Sequence, residues 1–338
     1  MKYPVFLNKK DKITLVAPSF GCTFDPYLTR LNAAIKNLEE EFIVERGPNI
    51  YKAEVIGRSN TKEKCAEEIN AYFNDLDTKA LMSVGGGELM VEILPYVDFE
   101  LIKKNPKWFM GYSDNTCLTY LLPTICDVAS VYGPNAPTFG IKPYHQSVMD
   151  ALNILKGDSL KVKSYGKWEK AENQKKTDPL ASMILTEDTL MISYPEKELK
   201  FSGRLLGGCL DILLNFLGTE FDKTSEFIDK YEKDGIIWFL EACDLNTMAI
   251  RRAFVQLDNA GWFKNVKGFI IGRPLSGMED ALGLNRIDAV KEVIDKYNVP
   301  MIFDVDLGHL SPSMPLITGS VANVELKNNE LTIEMELI

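Results

Sequence analysis

Apolar residues along this chain fall into short continuous runs, and segments of helical period separate them. The run in KITLVAPS, Lys12 to Ser19, is apolar and ends in turn residues, so it reads as a buried strand. From Asp25 to Glu41 the apolar positions recur at helical spacing. A second helix is expected over Asn60 to Asp77, with Asn60 or Thr61 as its N-cap. KALMSVGGG (Lys79 to Gly87), KWFMGYS (Lys107 to Ser113) and DVASVYGP (Asp127 to Pro134) read as further buried strands, with helical patterns between them. Strands that alternate with helices predict an α/β fold built on a parallel sheet covered on both faces.

After about Asp150 the pattern changes. KVKSYGKWEKAENQKKTDP, Lys161 to Pro179, is polar, rich in lysine and without a clear period. A stretch of that length reads as a linker or as a long functional loop. Beyond it the second half mixes strands and helices. GIIWFLEACD (Gly235 to Asp244) and VKGFIIGRP (Val266 to Pro274) are strands ending in polar residues or glycine, and Leu284 to Pro300 is an amphipathic helix. The alternation in Val321 to Ile338 breaks at Asn328-Asn329, a hairpin signal. The expected organisation is an N-terminal domain over residues 1–155, a linker or active-site loop over 156–185, and a C-terminal α/β domain with mixed strands over 186–338.

Composition narrows the function classes. The chain has 338 residues, 46% hydrophobic and 25% charged, with a formal net charge of -10. An acidic chain with no basic stripe is repelled by nucleic-acid backbones and anionic membranes, so neither is expected as a partner. No segment approaches the length of a membrane span, and the N-terminal stretch lacks the apolar core of a signal peptide. The six cysteines include no C-x-x-C pair and lie mostly in apolar surroundings. They read as buried thiols of a reducing, cytoplasmic compartment rather than a disulfide frame or a zinc site. Neither a metal nor a cofactor is expected.

The candidate chemistry begins at GYSDN, Gly111 to Asn115, where a buried strand hands over to a helix. Ser113 there is either a helix cap or a nucleophile whose attack creates an oxyanion near the positive end of the helix. A nucleophilic serine needs a base, and the chain has two histidines. His145 opens an amphipathic helix and suits a capping or exposed role. His309 follows an apolar strand and Gly308 in FDVDLGHLSPS, where a rigid loop presents side chains. The base needs an orienting carboxylate. Glu241 follows five consecutive apolar residues, Ile236 to Leu240, and is costly to bury unpaired, although a strand-end carboxylate turned to water fits the same pattern. Asp244 is the second choice.

Gly85, Gly86 and Gly87 end a strand and permit close backbone approach to a ligand. Neither G-x-G-x-x-G nor a Walker motif accompanies them, so nucleotide binding of those kinds is weakly supported. The order Ser…Glu…His also occurs in α/β-hydrolases, but the G-x-S-x-G elbow of that fold lacks its second glycine here. A thiol enzyme using Cys243 or Cys117, a non-catalytic protein binding small ligands, and a structural or partner-binding protein are the other readings.

Taken in order, APSF at Ala17, GGG at Gly85, GYSDNT at Gly111, YGP at Tyr132, GGCLDIL at Gly207, FLE at Phe239 and GH at Gly308 resemble the LD-carboxypeptidase family of serine peptidases over nearly the whole chain. The resemblance implies a Rossmann-like N-terminal domain and a smaller C-terminal α/β domain. It implies Ser113 as nucleophile, His309 as general base and Glu241 as its orienter. Backbone N–H groups of Asp114 and of Gly86 or Gly87 would form the oxyanion hole. It further implies a cytoplasmic, metal-free homodimer acting on a small peptide or a peptidyl-nucleotide. Two branches are open, murein tetrapeptide carboxypeptidases of cell-wall recycling and microcin C self-immunity peptidases. Trp168, in the polar stretch, matches the loop tryptophan of the second branch and favours it. Trp168, Glu88 and Asn115 are the expected substrate contacts.

Overall fold

The computed structural model describes residues 1–174 and 177–338, and the chain divides into two compact units. Residues 1–159, 177–183 and 315–317 belong to the first; residues 160–174, 184–314 and 318–338 belong to the second. The expected linker is therefore shared between the two units.

The first unit is a parallel sheet with helical connections. Its strands β1 (Lys12–Val16), β2 (Ile43–Arg46), β3 (Thr78–Ser83), β4 (Trp108–Gly111) and β5 (Ser130–Tyr132) alternate with helices α1 (Tyr27–Glu39), α2 (Lys62–Asn74), α3 (Phe99–Lys104) and α4 (Thr116–Leu121). Helix α5 (Gln146–Lys156) follows β5. The pairings β1–β2, β1–β3, β3–β4 and β4–β5 are all parallel. Across the sheet the order is Leu316–Thr318, β5, β4, β3, β1, β2, so the edge beside β5 is filled by a strand from far along the chain. Ile13, Leu15, Val16, Leu81 and Phe109 are fully buried, as continuous apolar runs in a covered parallel sheet require. Thr61 caps α2 by accepting from the Lys64 N–H, and Glu63 lies in the first turn. His145 caps α5, its Nδ1 accepting from the Ser147 N–H at 3.1 Å.

The second unit carries an eight-stranded mixed sheet. It uses β6 (Lys161–Lys163), β9 (Ile192–Tyr194), β10 (Leu199–Cys209), β11 (Ile236–Glu241), β12 (Val266–Gly272), β13 (Met301–Val305), β15 (Val321–Lys327) and β16 (Glu330–Glu336); β14 is the strand Leu316–Thr318 already met. The order is β6-β16-β15-β10-β11-β12-β13-β9. Strands β10 to β13 pair in parallel, and the flanks are antiparallel. A small ribbon pairs β7 (Lys167–Trp168) with β8 (Glu187–Asp188). The helices are α6 (Leu210–Leu213), α7 (Thr224–Lys230), α8 (Thr247–Asn259) and α9 (Arg286–Ile294). Trp238 and Trp262 stack at 5.7 Å between ring centroids, and Phe263 meets Trp238 edge-on, so an aromatic cluster sits within this core. The hairpin of β15 and β16 turns at Asn328 (φ 50°) and Asn329 (φ 60°), the left-handed pair that a two-residue turn of right-handed twist demands. Among the described residues, no helix is long and apolar enough to cross a membrane.

Candidate active site

In the first unit the chain leaves β4 and bends sharply. Ser113 has φ +65°, the left-handed region that costs a residue with a Cβ on the order of 1–3 kcal/mol. A 3-10 turn over Ser113–Asn115 then leads into α4. Asp114 does not spend its side chain on a helix cap. It is wholly buried, and its Oδ2 accepts from the Ser19 hydroxyl and from the Met90 N–H at 2.9 Å. The Ser113 N–H donates to Tyr132 Oη at 3.4 Å. The Asn115 amide donates to Gly85 O at 2.8 Å, Tyr112 O at 3.1 Å and Asn135 Oδ1 at 3.2 Å. It thus ties the glycine loop to the bend.

Gly86 lies directly against the serine. A Cβ built on it would sit 3.0 Å from Ser113 Oγ and 3.8 Å from the Asp114 nitrogen. Its missing side chain keeps open the space beside the Ser113 hydroxyl. Ser113 is half-buried, Glu88 is exposed, and Asn115 is fully buried with its amide directed to backbone and to Asn135.

Strand β11 in the second unit delivers Glu241 into a buried position, 1% exposed. It is paired: its Oε2 lies 2.8 Å from His309 Nδ1. An ionised carboxylate can only accept, so this contact puts the imidazole proton on Nδ1 and leaves Nε2 as the basic nitrogen. The loop after β13 holds the histidine closely. Gly308 has φ +107°, and a Cβ there would lie 2.6 Å from Glu241 Oε2, so only glycine passes at this point. The Gly308 N–H donates to Ser313 Oγ at 3.0 Å, and Gln174 Nε2 donates to the His309 carbonyl at 2.8 Å. Asp211 fixes the loop following Glu241, its two oxygens accepting from the Cys243 N–H at 3.0 Å and the Asp244 N–H at 2.8 Å.

Trp168 is half-exposed on the β7–β8 ribbon. Its indole N–H donates to Asp188 O at 3.3 Å, and the Arg273 guanidinium stands 5.0 Å from its ring centre. Arg273 is itself buried and paired with Asp306. Neither thiol alternative is set up as a thiolate, the form a cysteine nucleophile requires. Burial pushes Cys117 well above its usual pKa and also raises Cys243, although His309 beside Cys243 acts in the opposite direction. Among the described residues no cluster of three or more His, Cys, Asp or Glu is arranged to hold a metal ion.

Ser19, Asp211 and Gln174 are not marked out individually by the sequence. Two of them lie inside motifs that the sequence offers: Ser19 in APSF and Asp211 in GGCLDIL. Gln174 has no local signal, because its partner is a backbone carbonyl 135 residues away.

Two family models cover most of the chain: the LD-carboxypeptidase N-terminal domain matches residues 13–133 and the LD-carboxypeptidase C-terminal domain matches residues 202–324. The chain belongs to the LD-carboxypeptidase family. It is accordingly an enzyme, a serine peptidase of a family whose members include proteins named carboxypeptidases and MccF. The chain is 26% identical to the microcin C7 self-immunity protein MccF of Escherichia coli, over 87% of this chain and 86% of that protein. It is also 26% identical to the probable murein peptide carboxypeptidase of Bacillus subtilis strain 168, over 98% of this chain and 94% of that protein. Among solved structures, an MccF-like protein from Bacillus anthracis strain Ames superposes with a TM-score of 0.83 at 24% identity, covering 99% of this chain and 100% of that one. MccF bound to aspartyl sulfamoyl adenosine gives a TM-score of 0.81 at 22% identity, covering 98% of each chain. At these identities the superpositions establish the fold of this family member and nothing finer.

Proposed function

We propose that the protein hydrolyses an amide-type bond at a peptide C-terminus, with Ser113 as nucleophile, His309 as general base and Glu241 as the group that orients the imidazole. The Ser113 oxygen attacks the carbonyl carbon while its proton passes to Nε2 of His309. The resulting oxyanion is met by backbone N–H groups of Asp114 and of Gly86 or Gly87. Collapse of the tetrahedral intermediate breaks the C–N bond, and the departing amine takes the proton from the imidazolium. A water molecule, activated by the same histidine, then releases the acyl group and regenerates the serine.

The observation that carries this reading is the left-handed backbone of Ser113, with Gly86 pressed against its hydroxyl. A capping serine needs neither feature. The 2.8 Å pairing of His309 with a buried Glu241 supports the second half of the assignment. The test is Ser113-dependent labelling by a fluorophosphonate probe together with peptide turnover. Full turnover by Ser113→Ala sinks the assignment.

For substrate, the microcin-immunity-like branch is favoured. A half-exposed indole held by Asp188 and by the Arg273 cation is suited to stack on the planar base of a peptidyl-nucleotide. Murein tetrapeptide cleavage is the second reading, favoured by the equal 26% identity to the Bacillus subtilis relative. Turnover of an aspartyl sulfamoyl nucleotide and a murein tetrapeptide, side by side, separates them. Cleavage of the murein peptide alone overturns the branch assignment. In this scheme Asn115 holds the Gly85 carbonyl, and Glu88, exposed at the end of the glycine loop, meets substrate.

A further inference from the structure

We infer that the carboxylate of Asp114 is a positioning residue that fastens the glycine loop to the nucleophile turn and thereby sets the spacing of the two halves of the oxyanion hole. This deepens the serine-peptidase reading and rests on it.

Three segments distant in sequence meet at this one side chain. The first is the nucleophile turn, which supplies Asp114. The second is the loop after β1: the Ser19 hydroxyl, itself fully buried, donates to Asp114 Oδ2. The third is the stretch leaving the glycine loop, whose Met90 N–H donates to the same oxygen at 2.9 Å. Gly87 passes directly over the Ser19–Asp114 hydrogen bond. A Cβ there would collide with Ser19 Oγ and come within 3.3 Å of Asp114 Oδ2, and its φ of +145° also excludes most side chains. The position of Gly87 is thus read off the carboxylate.

The β1 loop is anchored in turn, so the fastening has a rigid base. Ser59 Oγ donates to the Ala17 carbonyl at 2.6 Å, and the Ser59 N–H donates to the Ser19 carbonyl at 2.6 Å. The Ala17 N–H donates to Glu68 Oε2 at 2.8 Å. The Phe20 N–H reaches the Gly86 carbonyl at 3.1 Å, a second tie between the β1 loop and the glycines. The donors that would stabilise an oxyanion come from Asp114 on one side and Gly86 or Gly87 on the other. Their separation depends on these ties, and misplacing one such donor costs on the order of 10²-fold or more in rate.

A carboxylate one residue from the nucleophile also carries a charge that an oxyanion disfavours. Burial answers this in part by raising the Asp114 pKa to about 6, with Glu88 adding to the rise, while the bonds from Ser19 and Met90 pull the other way. Oδ1 is buried with no hydrogen-bond partner among the described residues. A proton carried there leaves both bonds to Oδ2 intact.

The test uses the full chain and four variants, read by the rate of fluorophosphonate acylation and by kcat and KM on the peptide substrate. Asp114→Ala is expected to lower acylation and kcat about 10²-fold with KM changed less than about threefold, because the lost contacts matter most when the oxyanion forms. Asp114→Asn, which can still accept both hydrogen bonds, is expected to recover to within about tenfold of wild type. Ser19→Ala is expected to lose about tenfold. Ser113→Ala reports on the underlying reading. Acylation of Ser19→Ala and of folded Asp114→Ala at the wild-type rate overturns the inference while leaving the peptidase assignment standing. If Asp114→Ala does not fold, an unchanged rate in Ser19→Ala overturns it alone. Absence of Ser113-dependent acylation in the wild type overturns both.

Discussion

At Ser113 the first unit presents the side chain proposed as nucleophile through its backbone: a left-handed residue, a tight turn and a glycine loop against the hydroxyl. At His309 the second unit works through side chains: a buried carboxylate on the imidazole, an aspartate clamping the neighbouring loop, and an amide on the histidine's own carbonyl. The two solutions answer different demands. A nucleophile, the role proposed for Ser113, must be exposed to the incoming carbonyl beside backbone donors, so the main chain has to bend out at that point. A base, the role proposed for His309, has to keep one tautomer and one ring orientation, which a paired carboxylate provides. The difference predicts where each unit is fragile. Backbone-sensitive substitutions should damage the first, and partner deletions should damage the second.

The largest effects sharpen that contrast least but test its premise. Ser113→Ala and His309→Ala should each lower kcat on the order of 10⁴-fold or more, measured on peptide substrate with folding checked by circular dichroism. Next comes a backbone test inside the side-chain-built site. Gly308→Ala must place a methyl against Glu241 Oε2 at φ +107°, and about a 10²-fold fall in kcat is expected. If Gly308→Ala keeps wild-type kcat, the second unit is more tolerant than the close approach of Gly308 to Glu241 implies. A smaller effect is expected from Asp211→Ala, which frees the Cys243 and Asp244 N–H groups: about tenfold in kcat, with a lowered melting temperature. Cys243→Ala should change turnover less than about threefold, because burial keeps that thiol protonated. A loss as large as that of Ser113→Ala would restore the thiol reading.

The smallest effect concerns stability and pH in the first unit. Glu68 is buried and accepts from the Ala17 and Asn49 N–H groups, and burial raises its pKa from 4.5 to about 7. A folded-state pKa above the unfolded value means that the native state binds the proton more tightly. The associated stability is therefore complete below about pH 4.5 and is lost as pH rises through about 7. Melting temperatures between pH 5 and pH 8 should show this loss in the wild type and a shallower slope in Glu68→Gln. An identical slope in both would remove Glu68 from the account.

Much of this architecture is legible because the local code is strong. The apolar runs of β1, β3, β11 and β12 stand between helices of clear period, and the Asn328-Asn329 turn follows directly from what a two-residue hairpin needs. The buried Glu241 could be suspected from its place after five apolar residues, since such a carboxylate requires a partner. Other features depend on contacts that no local pattern encodes. Strand β10 runs from Leu199 to Cys209 but contains four interruptions to a strand pattern, Ser202, Gly203, Gly207 and Gly208, and is held by pairing on both sides. Strand β6 lies in the polar, lysine-rich stretch and exists because Lys161–Lys163 finds Thr332–Glu334 at the sheet edge. The left-handed φ of Ser113 is equally silent, because the residue types that announce it are glycine and asparagine. The hydrogen bond from Ser19 to Asp114 joins positions 95 residues apart, so the motifs that contain them do not reveal that the two side chains meet.

The strand Leu316–Thr318 bears on how the molecule is made. It closes the edge of a sheet whose other strands are all complete by Tyr132. During synthesis the sheet that carries Ser113 emerges first, and β5 stays without this neighbour until the stretch up to Thr318 has been made. A fragment ending near residue 159 carries that same raw edge, and an exposed strand edge invites pairing with other chains. The last strand to arrive acts as a stopper for the first sheet, so its early strands reach their finished arrangement only once that much later segment has been made.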